Sequence, residues 1–276
     1  MQAATGTLIS GSLIPAIMSG NFRPTDVDFY TPKGAGLDVS LFLKRSGDWK
    51  RTKFAPTYNF ASGIGHVFTL RHRTTRKRIN IIESLTPHAL DAVVQFHSTC
   101  VIGAISADAF WHGYAHLALS NITITTPTRM PLTRDVVQQT RAWKILRKYK
   151  QRGFDFHLDE FRVPHVCCED VRCPATIRTS DDVGCSRISL PAWGLSDFRQ
   201  AEHISCWTLH GSGCPGGILS RAPASQIALA TNPIGWSFVR NMGSGNTDKI
   251  IVSHWRLMMN HLMNLSQAPD VALGLC

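Results

Sequence analysis

The run Ile9-Ser10-Gly11-Ser12, followed after thirteen residues by Asp26-Val27-Asp28-Phe29, holds the residue types with the clearest chemical use. A glycine turn lets backbone N–H groups come close to an anion, and Ser12 adds a hydroxyl donor at the same place. Two aspartates separated by one residue of a strand point to the same face, which suits two carboxylates holding a divalent cation such as Mg²⁺. A cation held there can bridge the phosphates of a nucleotide and neutralise charge that develops during phosphoryl transfer.

These groups need a strand, a tight turn, a helix and a second strand to position them. The sequence predicts a strand at 7–10, a turn at Gly11 and Ser12, a helix over 13–19 with Pro15 in its first turn, and a strand over 26–30. Residues 66–73 and 76–83 read as a hairpin closed at Thr74 and Thr75. Thr86-Pro87 opens a helix with Leu90, Val93, Val94 and His97 toward one side, and Thr133 caps a longer one with Val136, Val137, Trp143, Leu146 and Tyr149 as its stripe. Helical spacing recurs over residues 250–265.

The turn and the carboxylate pair together resemble the nucleotidyltransferase superfamily built on the polymerase-beta-like fold. Its motif is a hydrophobic strand, Gly followed by Gly or Ser, a short helix, and a strand with two acids around one hydrophobic residue, here Gly11, Ser12, Asp26 and Asp28. The wider run, with DVDFY, INIIES and FHSTC, also resembles a group of nucleotidyltransferase-like proteins found in fungi, and reaches to roughly residue 187. The resemblance implies an α/β (α+β) fold, with a small mixed sheet and flanking helices over residues 1–130 and a helical or irregular, Cys-rich region over 131–276. It also implies a nucleoside triphosphate as ligand, Mg²⁺ as cofactor, and a third carboxylate in the middle of a later strand. That place is Ile79-Asn80-Ile81, so the catalytic set reads Asp26, Asp28 and Asn80. An amide can lend a carbonyl oxygen to a metal, but it adds no negative charge and accepts no proton as a general base. Glu83 lies an odd number of residues beyond, which sends it to the other face of an unbroken strand. Two functions therefore stand side by side. One is Mg-dependent nucleoside triphosphate binding with nucleotidyl transfer to an acceptor; the other is a catalytically inactive module that binds a nucleotide or nucleic acid.

Charge along the chain supports an anionic partner. Lys plus Arg number 29 against 19 Asp plus Glu, a net charge of +10, and the excess is local. Residues 44–78 carry ten basic side chains against Asp48 alone, and residues 141–152 carry six with no acid. Alternation along the second arm of the hairpin puts Arg76 and Arg78 on the Asn80 face, within reach of phosphate oxygens. Lys144 and Lys148, on one face of the later helix, would form a second wall. For any one of these residues, a solvated surface charge is the simpler account.

A Cys-rich patch contains four candidate zinc ligands, His165, Cys168, Cys173 and Cys185, but its spacing lacks a second close pair, so buried free thiols are the competing account. A chain of 276 residues with 43% hydrophobic and 17% charged residues is neither fibrous nor wholly disordered. No apolar run reaches the roughly 18 residues of a membrane span, and the first basic residue is Arg23, unlike the cationic start of a secretory signal. These features predict an intracellular protein, cytoplasmic or nuclear, with no membrane partner.

Overall fold

The computed structural model describes residues 1–55, 63–125, 136–157, 170, 173, 176–190 and 203–209. The chain opens with α1 (Gln2–Thr5), β1 (Leu8–Ser10), α2 (Leu13–Ser19), β2 (Asp26–Thr31) and α3 (Gly36–Ser46). A meander of β3 (Trp49–Ala55), β4 (Ile64–His72) and β5 (Arg78–Ser84) follows, then α4 (Ala89–Val93), β6 (Gly103–Ile105), β7 (Ala109–His112), α5 (Ala115–Leu119) and β8 (Ile122–Ile124). Beyond these come α6 (Val136–Gln151), β9 (Asp155–His157), β10 (Arg178–Thr179), β11 (Ser186–Ser189) and β12 (Cys206–Trp207).

Eight strands form one mixed, mostly antiparallel sheet in the order β11-β7-β6-β1-β2-β5-β4-β3. Within it β2 and β5 pair in parallel, because the chain leaves β2 through α3 and the β3–β4 hairpin before returning beside it. The far face of the sheet is apolar. Phe29, Phe68, Leu70, Ile79 and Ile81 pack under Val39 of α3, and Ile105 and Phe110 pack under Leu13, Ile14 and Ile17 of α2. On the near face, Leu8, Tyr30 and Ile82 pack against Ala89, Ala92 and Val93 of α4 and against Trp207.

The sheet and its core continue past residue 130. Strand β11 pairs with β7, and the fully buried Trp207 donates from Nε1 to the Tyr114 hydroxyl at 3.0 Å. The mixed sheet is therefore larger than the one expected within 1–130, and it draws on the part of the chain read as helical and Cys-rich. Residues 250–265 and the expected cap at Thr133 lie outside the described residues. Among the described residues, no helix is long and apolar enough to cross a membrane.

Candidate functional site

The parallel register of β2 and β5 sets Asp26 opposite Arg78 and Asp28 opposite Asn80, and the antiparallel register of β1 sets Ser10 beside Asp28. Asp26, Asp28 and Asn80 thus share the near face; spacing predicts this for the two aspartates, and the resemblance implies it for Asn80. Asn80 donates from Nδ2 to Asp28 Oδ1 at 2.7 Å, and its own Oδ1 accepts from the Thr69 hydroxyl at 3.2 Å. The amide therefore presents hydrogens to Asp28 and turns its carbonyl oxygen away. Arg78 forms an ion pair with Asp26, which is mostly shielded while Arg78 stays half-exposed.

The glycine turn abuts this pair. Gly11 has φ +72°, a left-handed conformation, and a Cβ placed on it would lie 2.2 Å from Asp28 Oδ2. Only a residue without a side chain lets the turn and the carboxylate come so close. Ser12 follows as the N-cap residue of α2, its hydroxyl buried with no hydrogen-bond partner among the described residues. A hydroxyl without a partner in a buried place is costly, and it leaves one donor and two lone pairs available next to the Gly11 turn.

Burial first and Asp26 second raise the Asp28 carboxyl, the Asn80 hydrogen bond and the charges of Lys148 and Arg78 pull it down, and the balance lies at about 6. Lys148, on α6, feels Asp26 and Asp28 in return, and burial and Arg152 depress its ammonium. Lys148 is therefore near enough to both aspartates to feel their charge, although it is exposed and not among the groove residues. Lys144, one turn earlier, is likewise exposed and outside the groove lining. Burial also depresses the Arg152 guanidinium, while Tyr149 and Asp26 favour its charge. Arg152 lies over the rings of Phe22 and Tyr149, at 4.1 and 5.2 Å, and its Nη1 is buried with no hydrogen-bond partner among the described residues.

Beside the acids, the near face holds a groove of about 620 Å³, within the size range of small-molecule sites. Asp28, Asn80, Arg78, Arg71, Thr69, Thr52 and Lys53 supply its polar side, and Tyr30, Ile64, Val67 and Ile82 supply its apolar side. Arg71 and Lys53 have no counterpart among the site residues expected from the sequence. Arg71 stands directly opposite Arg78. Lys53 stands opposite Thr69, just past an irregularity between Arg51 and Lys53 that brings both Thr52 and Lys53 to the groove. Such a bulge re-aims side chains. The alternating pattern of the hairpin was the available signal for Arg71, whereas nothing local in the sequence betrays a bulge.

Arg76 is a correction. It does not sit on the strand beside Arg78 but in the hairpin turn, at φ +60°, with its N–H bonded to the His72 carbonyl at 3.1 Å. The turn is longer than a closure at Thr74 and Thr75, so β5 starts at Arg78 and Arg76 stays exposed at the tip. Glu83 faces away, accepting from the Gly36 N–H at 2.9 Å at the start of α3. Of the candidate zinc ligands, His165 and Cys168 lie outside the described residues, Cys173 is buried, and Cys185 donates to the Thr179 carbonyl at 3.3 Å. Burial and Asp182 push the Cys185 thiol up, away from the thiolate that metals bind. Among the described residues, no three His, Cys, Asp or Glu side chains converge as a metal-binding group.

No family model matches the sequence, and no curated protein is similar to it.

Proposed function

We propose that the near-face groove binds a nucleoside triphosphate together with Mg²⁺. The observation that carries this reading is the meeting of Asp28, which shares its strand face with Asp26, with the Gly11–Ser12 turn, where the Gly11 Cα lies against the Asp28 carboxylate and the Ser12 hydroxyl has no partner among the described residues. The order of turn, α2, Asp-x-Asp strand and a parallel neighbour bearing Asn80 also supports a nucleotidyltransferase-like arrangement. The residues fit the metal: two carboxylates share a face, and burial is the main cause that raises the Asp28 carboxyl, so a cation held there would favour its charged form. Asp26 and Asp28 would hold the cation, which neutralises phosphate charge when bound. Ser12, Arg78, Arg71 and Lys148 supply donors to phosphate oxygens, and the apolar side of Tyr30, Val67 and Ile82 suits a base.

A second reading, a binding module without nucleotidyl transfer, is favoured by Asn80. Its amide hydrogens engage Asp28 and its carbonyl oxygen engages Thr69, so it adds no carboxylate and takes up no proton.

Thermal unfolding with ATP and MgCl₂ tests binding. The melting temperature rises for the native chain and not for Asp26→Asn/Asp28→Asn; no rise with any nucleoside triphosphate would sink the proposal. Pyrophosphate release with a panel of acceptors separates the two readings. Asn80→Asp gives an independent readout: with a third acid beside Asp28, the metal-free protein melts lower and the gain from Mg²⁺ alone is larger than in the native chain.

A further inference from the structure

The charges of the sheet lie in rungs. Lys50, Arg71 and Arg78 stand directly opposite one another on β3, β4 and β5, and Asp26 on β2 completes the rung. The next rung runs through Lys53, Thr69, Asn80 and Asp28 to Ser10 on β1. Neighbouring strands are roughly 4.8 Å apart, so the first rung sets three like charges in line within about 10 Å. Like charges directly opposite across a sheet destabilise it. Asp26 compensates Arg78 and Asp48 compensates Arg73, while Lys50 and Arg71, both exposed, have no ion-pair partner among the described residues.

A triphosphate in the groove would meet Arg78 and Arg71, but the rung runs on to Lys50, which is not part of the groove lining. An arrangement that costs the free protein stability and extends past one nucleotide fits a ligand with its own row of negative charges. We infer that this rung seats the phosphodiester backbone of a single-stranded nucleic acid whose terminal nucleotide enters the groove. The inference rests on the proposed reading of the groove for that terminal nucleotide and goes beyond it for the rest of the strand. A single strand offers an unstacked base to the apolar side formed by Tyr30, Ile64, Val67 and Ile82. A duplex keeps its bases paired and stacked inside and offers none.

The test is a fluorescence anisotropy titration of the full chain against a labelled single strand of about 12 nucleotides, as RNA and as DNA, in EDTA and over a series of salt concentrations. Removing one cation that neutralises a phosphate of the strand lowers the magnitude of the log–log salt slope by about 0.7. Lys50→Gln is expected to lower it by that amount and Lys50→Gln/Arg71→Gln by about 1.4. Both variants should also raise the melting temperature of the free protein at low salt by about 1–3 °C, through relief of like-charge repulsion. Lys50→Gln should leave the stabilisation by ATP and Mg²⁺ as it is. An unchanged slope in the double variant overturns the inference, as does equal affinity for a duplex or for inorganic polyphosphate. So does a Lys50→Gln protein that loses its ATP response in step with strand binding, since the rung would then belong to the mononucleotide site. If ATP fails to stabilise the native chain while the slope still falls in Lys50→Gln, the nucleotide proposal fails and the strand-binding surface stands.

Discussion

Asp28 sits between opposing influences. Burial and Asp26 favour its protonated form, and Asn80, Lys148 and Arg78 favour the carboxylate, with the balance near pH 6 against an ordinary value of 3.8. The folded chain therefore holds this proton more tightly than the unfolded chain, so stability is greatest below about pH 4 for this group and is lost as pH rises through 6. Asp28→Asn removes the ionisation and keeps an oxygen to accept from Asn80. The variant is expected to be more stable than the native protein at pH 8, by of order 1 kcal/mol, with the gain shrinking as pH falls and vanishing below about pH 4; a gain independent of pH would mean that burial of the charge is not its cause. On the proposed reading Mg²⁺ would bind the carboxylate form, so stabilisation by the metal should grow between about pH 5 and 7. Denaturant melts at matched ionic strength, with and without MgCl₂, read both effects.

At the scale of elements, the turn between β1 and α2 is the most constrained. Gly11→Ala puts a methyl group into Asp28 at a backbone conformation that alanine resists. It should destabilise the protein by about 1–3 kcal/mol and, on the proposed reading, abolish any stabilisation by ATP and Mg²⁺; Gly34→Ala, also at positive φ but with open space around it, supplies the comparison for backbone strain alone. This turn was legible in the sequence because its parts are adjacent. The alternation of Val27 and Phe29 with two aspartates marks β2, and helix α2 occupies Leu13–Ser19 with Pro15 in its first turn, as expected. The arms of the β4–β5 hairpin were legible for the same reason, but its turn was not. Two threonines suggest a short closure, while the chain uses the left-handed Arg76 to make a longer one. Residues brought in over longer spans were harder to see. Lys53 joins the groove through a bulged pairing with β4, and Arg152 lies beside the site because α6 packs across residues 99–101 and over Phe22.

Over the whole molecule, the segment 203–209 ties distant parts of the chain together. Trp207 is fully buried between Trp111 and Tyr114, and the Arg178 guanidinium lies 5.3 Å from its ring while bonding Asp182. Asp91 of α4 accepts from the hydroxyls of Thr86 and Ser205 at 2.6 and 2.7 Å and shares a hydrogen bond with His203 at 3.0 Å. Trp207→Ala should cost about 3–5 kcal/mol and lower the melting transition of the whole protein as one step; a two-step transition would show that this segment belongs to a separate folding unit. Among the described residues strand β3 forms one border of the sheet, and a border strand exposes unpaired backbone groups on which another chain can add. Lys50, Arg51, Lys53 and the bulge at Thr52 all lie on that strand, where charge and irregular twist discourage such pairing. The same lysines thus guard the protein against self-association, so neutral versions of β3 should show rising light scattering with concentration, whereas neutralising Arg78 on the interior strand β5 should not.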